Sequence, residues 1–120
     1  MSRELSYENC VETMTTEIPE LRECGARFDV SLPHDAFGTL ALFVVDRIQR
    51  SDEEDQDLLR RAFSLFNRMA ESSDEDIVNL LVVSAIEILA DDEDVHRFAR
   101  DWFSTKAAAL FERVLRGWDD

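Results

Sequence analysis

The chain has 120 residues, 45% of them hydrophobic, with three Gly and two Pro; it is long enough for a single core and too apolar for a disordered acidic tail. Its net charge of −14 argues against nucleic acid and anionic lipid as ligands, because binding to phosphate depends on Lys and Arg. Cys10 and Cys24 form no C-x-x-C pair, and neither a signal peptide nor an apolar run of membrane length is present, so a reduced, cytoplasmic protein with no membrane contact is expected.

From Ser6 onward, the spacing of Tyr7, Cys10, Val11, Met14 and Ile18 predicts a first helix with Ser6 as its N-cap. Pro19 opens a short second turn of helix, or a bent continuation of the first, that Gly25 closes, since glycine tolerates the left-handed backbone of a helix stop. Residues 26–32 are a connector in which Phe28, Val30 and Leu32 alternate. No other segment alternates to pair with them, so they are expected to tuck against the helices from a loop. Pro33 then starts a helix with Phe37, Leu40, Ala41, Val44, Val45 and Ile48 on one face, ending near Arg50.

Ser51-Asp52-Glu53-Glu54 has the S-x-x-E spacing of a capping box, which predicts the next helix, apolar from Leu58 to Ala70. Ser73-Asp74-Glu75-Asp76 repeats the cap before Ile77 to Ala90, the most apolar run in the chain, interrupted only by Asn79, Ser84 and Glu87. That run exceeds a typical strand of about five or six residues, and reads as a helix buried nearly all round, which other helices must surround. Asp91 to Asp94 end it and begin a helix with Val95, Phe98, Ala99, Trp102 and Phe103 on one face. Ser104 or Thr105 is expected to cap a last helix, the alternative being one continuous helix over residues 94–116. Gly117 should stop it, with Trp118 folding back.

About six helices with short turns predict a single all-α domain over residues 1–120, packed as antiparallel hairpins in a HEAT-like helical bundle around the buried central helix. Hairpin geometry carries that label, because no repeat of about 40 residues recurs in the sequence.

Two stretches, Leu32-Pro33-His34-Asp35-Ala36-Phe37-Gly38 and the central run from Asp76 to Leu89, resemble a family of small bacterial proteins known only as a domain of unknown function. The likeness lies in an acidic turn, an Asn, an aliphatic triplet and a Leu-Glu-x-Leu-like ending, and it covers roughly Leu32 to Trp118. The chain departs from it at Ala85, where the family often carries a bulky aromatic residue. The resemblance implies no active-site residues. Similar small acidic all-α proteins serve as immunity proteins that neutralise bacterial toxins.

His34 and His96 stand alone, without a cysteine or second histidine at ligand spacing, and are read as surface or capping groups. A relay of His96 with Asp92 or Asp101 would lack a nucleophile. The acidic runs lack the glycine of an EF-hand loop, so no metal, cofactor or catalytic residue is expected and the chain is not read as an enzyme. Between Ser51 and Asp94, fourteen Asp and Glu face three Arg. Helix N-termini favour a carboxylate or two, and the excess costs self-repulsion. Asp52, Glu53, Glu54, Asp55, Asp57, Asp91, Asp92, Glu93 and Asp94 are therefore the candidate partner-binding residues, for a basic protein such as a cognate toxin. A nucleic-acid mimic is the second reading; it needs carboxylates along one face, and these runs are expected at opposite ends of antiparallel helices. Glu87, an acid inside the apolar run, is expected to be partly buried against an arginine such as Arg60, Arg61 or Arg113, the alternative being an exposed stripe with Asn79 and Val83.

Overall fold

The structure, a computed structural model, describes residues 5–25 and 27–117. Among the described residues it is all-helical, with seven helices: α1 (Cys10–Glu17), α2 (Glu20–Glu23), α3 (Pro33–Arg50), α4 (Gln56–Ala70), α5 (residues 75–90), α6 (Glu93–Trp102) and α7 (Thr105–Leu115). A 3-10 turn, Glu53–Asp55, leads into α4. Among the described residues no helix is long and apolar enough to cross a membrane. The expected return of Trp118 lies outside the described residues.

The helix boundaries follow from which side chains satisfy the free backbone groups of each end. Before α1, Ser6 accepts from the Asn9 N–H at 3.2 Å while Asn9 Oδ1 accepts from the Ser6 N–H at 2.8 Å, a reciprocal box with asparagine in the glutamate place. Gly25 and Gly117, at φ of 89° and 78°, stop α2 and α7 as expected. The box expected at Ser51 does not form. Ser51 is left-handed, at φ 56°, and its N–H and hydroxyl both turn back to the end of α3, so its side chain is spent as a stop signal and Glu54 has no partner to reach. The cap of α5 falls one residue beyond the expected Ser73: Asp74 accepts from the Asp76 N–H at 2.9 Å. Asp92 caps α6, accepting from Asp94 and Val95.

The break between α6 and α7 is real and is held from a distance. Phe103 is extended, and Ser104 caps α7 by accepting from the Ala107 N–H at 3.3 Å. Asn67 of α4 clamps the corner: its amide donates to the Trp102 carbonyl at 3.1 Å and its oxygen accepts from the Ser104 N–H at 2.9 Å. One carboxamide thereby satisfies a donor and an acceptor that the interrupted helix leaves unpaired.

In the connector the expectation was too generous. Phe28 is half-buried, but Val30 and Leu32 are each 54% exposed. An Asp29–Ser31 turn, with the Asp29 N–H tied to Asp35 at 2.8 Å, holds the segment outside the core.

The buried side chains form one cluster contributed by α1, α2 and all five longer helices. Within α5, Ile77, Leu80, Leu81, Ala85, Ile86 and Leu89 are fully buried, as a helix apolar on most sides requires. Its middle, Leu81–Ile86, is π-helical, flanked by the α-helical turns Glu75–Leu80 and Glu87–Ala90. The Glu87 N–H reaches five residues back to Val82, and the buried Ser84 hydroxyl donates to the Leu80 carbonyl. The longest neighbour, α3, crosses this stretch at Gly38, where an added Cβ would sit 3.6 Å from the Ser84 carbonyl oxygen and 3.9 Å from Ile88 Cδ1. Those are ordinary contact distances, and Gly38 lies inside a helix. Gly38→Ala is therefore expected to stabilise the fold by about 0.5–1 kcal/mol, read as a raised urea midpoint with an unchanged slope.

The N-terminal helices are fastened to α4 by arginine. Arg61 makes a two-point ion pair with the Glu20 carboxylate, donates to the Glu17 carbonyl at 2.7 Å, and bonds Asp57 through Nε at 2.9 Å. The Arg61 hydrogen bond holds the Glu20 carboxyl below its ordinary pKa. About two turns further on, Arg68 pairs with Glu17 at 2.7 Å. Exposed pairs of this kind contribute modestly one by one, but together they fix where α1 and α2 cover the core.

Candidate functional site

Of the nine candidate acidic residues, three are used inside the fold. Asp55 is largely buried and pairs with Arg47 at 3.6 Å, while Arg47 lies over the Phe43 ring at 4.6 Å. Asp57 pairs with Arg60 and Arg61. Asp92 caps α6 and also accepts from the Gln49 amide at the end of α3. The other six, Asp52, Glu53, Glu54, Asp91, Glu93 and Asp94, are exposed. Among the described residues none of them enters an ion pair.

The Gln49–Asp92 bond changes where these charges lie. It sets the end of α3, and so the 51–55 turn, beside the start of α6. Both acidic runs therefore occupy one end of the molecule, and the expectation of opposite ends is corrected: α4 and α5 lie between the two turns in sequence but lead away and back. The third run, Asp74 to Asp76, follows α4, whose 15 residues carry it roughly 22 Å along the helix axis. At the acidic end, a cleft of about 390 Å³ opens between Ile48, Gln49 and Ser51 on one side and Asp94, Arg97, Phe98 and Asp101 of α6 on the other.

The second concave feature lies between α5 and α7. Asn79, Val83 and Glu87 line it from α5, with Leu110 and Arg113 opposite, around about 370 Å³. Glu87 also borders a second hollow with Asp91, Val114 and Leu115, so the furrow continues to the acidic end. Burial of Glu87 against an arginine is thus corrected: Glu87 is exposed, on the stripe with Asn79 and Val83. The π-helical middle explains the alignment. A turn closed by i→i+5 bonds holds more residues than the 3.6 of an α-helix, so side chains four apart fall nearly in line. Glu87→Ala is accordingly expected to move stability by no more than about 0.5 kcal/mol, and a loss of several kcal/mol in a urea titration would contradict this placement.

A family model spans residues 11–119 of this chain. The chain belongs to the family described as Domain of unknown function (DUF7674). The match begins at α1, so DUF7674 takes in the two N-terminal helices that the resemblance over residues 32–118 left out. No curated protein and no solved structure matches the chain.

His96 has a structural task in this DUF7674 domain. Its Nε2 lies 2.6 Å from the Ala90 carbonyl, which can only accept, so Nε2 carries the proton and closes the end of α5. The ring meets Phe111 edge-on at 5.4 Å. Among the described residues the ring makes no hydrogen bond or ion pair with Asp92 or Asp101, so the relay considered from the sequence does not form. Burial pushes the Cys10 thiol above its ordinary pKa, and both cysteines are free. Among the described residues, no three His, Cys, Asp or Glu side chains converge to hold a metal.

Proposed function

We propose that this DUF7674 chain is a binding module that captures a basic protein at its acidic end, and that the partner is a toxin held inactive by that contact, as an immunity protein would hold it. The observation that carries the reading is the Gln49–Asp92 bond, which gathers Asp52, Glu53, Glu54, Asp91, Glu93 and Asp94 on one end. Six outward carboxylates without internal partners raise the energy of the free protein by self-repulsion, and a cationic surface relieves it. The two free cysteines suit a reducing cytoplasm.

The finer fold reading belongs to the same proposal. Short turns join α3 through α7 in sequence, and α6 runs from the end of α3, at Gln49, to the end of α4, at Asn67. That supports hairpins stacked in a HEAT-like manner. A phosphate-mimicking inhibitor of a nucleic-acid-binding protein fits less well, since the third acidic run sits at the far end and leaves the charge discontinuous.

Salt tests the reading. With a basic partner, the association rate is expected to fall by about tenfold or more between ~0.05 M and ~0.5 M salt, as screening shortens the reach of the carboxylates. A rate that stays flat over that range would remove the acidic end from the contact.

A further inference from the structure

We propose that the furrow between α5 and α7 is a docking groove for a linear segment of the partner protein, one presenting an apolar anchor next to lysine or arginine. The inference rests on the binding reading above and deepens it, because the groove runs into the acidic end.

The floor is apolar where a soluble surface has no other use for it. Val83 is 48% exposed, Leu110 is half-buried beside it, and the space of about 370 Å³ falls within the size of pockets that take a defined ligand or side chain, about 300–1,000 Å³. The hydrophobic surface left open there would gain from being covered.

The rim supplies direction. Asn79, Val83 and Glu87 in α5 and Asp91 just after it follow one another at steps of four residues, and the π-helical stretch Leu81–Ile86, which contains Val83, keeps them on one face. Asn79 is exposed, and its carboxamide carries both a donor and an acceptor, the pair needed to hold one peptide group of an extended chain. Beyond Val83 the stripe becomes anionic, from Glu87 to Asp91, and passes into the six outward carboxylates. Glu75 adds charge at the other end of the groove, and Arg113 stands on the α7 side.

Charge complementarity selects the occupant. A second copy of a chain with net charge −14 would bring its own carboxylates against these, and an anionic bilayer would be repelled in the same way. A segment with an apolar side chain over Val83 and cationic side chains toward Glu87 and Asp91 meets both halves of the groove.

The test uses random dodecamer peptides displayed on phage and selected against the whole folded chain. Recovered peptides are synthesised and titrated against the wild type, Val83→Glu, Asn79→Ala and the double variant Asp52→Lys/Glu53→Lys. The expected peptides share an aliphatic or aromatic residue beside Lys or Arg. Val83→Glu should weaken them by about tenfold or more although it adds negative charge, and Asn79→Ala by a few-fold. Both side chains are exposed, so helix content by circular dichroism should match the wild type. Peptides that bind Val83→Glu and Asn79→Ala as tightly as the wild type, peptides that need no apolar residue, or failure to recover any peptide would overturn the groove. Peptides weakened by Asp52→Lys/Glu53→Lys alone would leave the acidic-end reading standing and the groove overturned. Self-association abolished by Val83→Glu would assign the furrow to a second copy and overturn the proposal as well.

Discussion

Phe63→Ala is expected to cost about 3–5 kcal/mol of stability, against a total of about 5–15 kcal/mol for a domain. Phe63 is 1% exposed and is the ring on which α4, α6 and the corner after α6 meet. Its centroid lies 5.7 Å from Phe66 in α4, 5.6 Å from Phe98 and 6.1 Å from Trp102 in α6, and 5.1 Å from Phe103 at the corner. Phe103 in turn meets Phe111 of α7 at 5.5 Å. Removing the ring leaves a cavity that rigid neighbours cannot fill and forfeits several tilted and edge-on ring contacts, each about 0.5–1.5 kcal/mol beyond simple burial. A urea titration reads the loss as a lower midpoint. Phe63→Leu, which keeps much of the volume, should lose clearly less. Equal losses for the two variants would show that the volume Leu keeps contributes nothing, and would contradict the cavity account.

The aromatic hub was legible in part. Phe63, Phe66, Phe98, Trp102, Phe103 and Phe111 all fall on apolar faces that helical spacing predicts, and the all-α class follows from the same periodicity. That Phe98, Trp102 and Phe103 meet on Phe63, and Phe111 on Phe103, is a tertiary fact without a local signature. The same division holds at the caps. Asp92 and Ser104 act at the helix starts expected for them, because capping is settled within a few residues, whereas Ser6 makes its box with Asn9 ahead of α1, whose N-cap is Asn9 itself. Ser51 misled because serine suits both the stop of one helix and the start of the next, and which role wins depends on where α3 ends. Asn67 gave no signal at all: it lies 35 residues from Trp102, and an asparagine late in a helix reads as surface.

The site shows the same limits. The acidic residues were visible as an excess of charge, but sequence order set the 52–57 and 91–94 runs apart, and only the contact of Gln49 with Asp92 joins them. Asp55 and Asp57 look no different in sequence from Glu53 and Glu54, yet the first two are consumed by Arg47, Arg60 and Arg61. For Glu87, both an exposed stripe and a buried pair fitted the spacing of an apolar run. The π-helical middle of α5 decides between them, and nothing in the spacing of this mostly aliphatic run announces it.

The outward carboxylates are proposed as the contact surface, and charge reversal is the sharpest test of that proposal. Asp52, Glu53, Glu54 and Asp91 are exposed and enter no side-chain hydrogen bond or ion pair among the described residues. Asp91 follows the C-terminal end of α5, where a cation is favoured over an anion. Asp52, Glu53 and Glu54 precede α4, whose N-terminus favours carboxylates by about 0.3–1 kcal/mol each, so replacing all four with lysine should cost the fold no more than about 3 kcal/mol, while turning four attractions into repulsions. Each exposed pair contributes about 0.2–1 kcal/mol, so the reversal should weaken binding of a basic partner by about 100-fold or more. The measurement is the dissociation constant, by calorimetry at low salt, of the partner that the wild-type protein captures from its own cell, compared between wild type and the fourfold lysine variant. Loss of binding at unchanged helix content is the predicted result, and an unchanged dissociation constant would contradict the account.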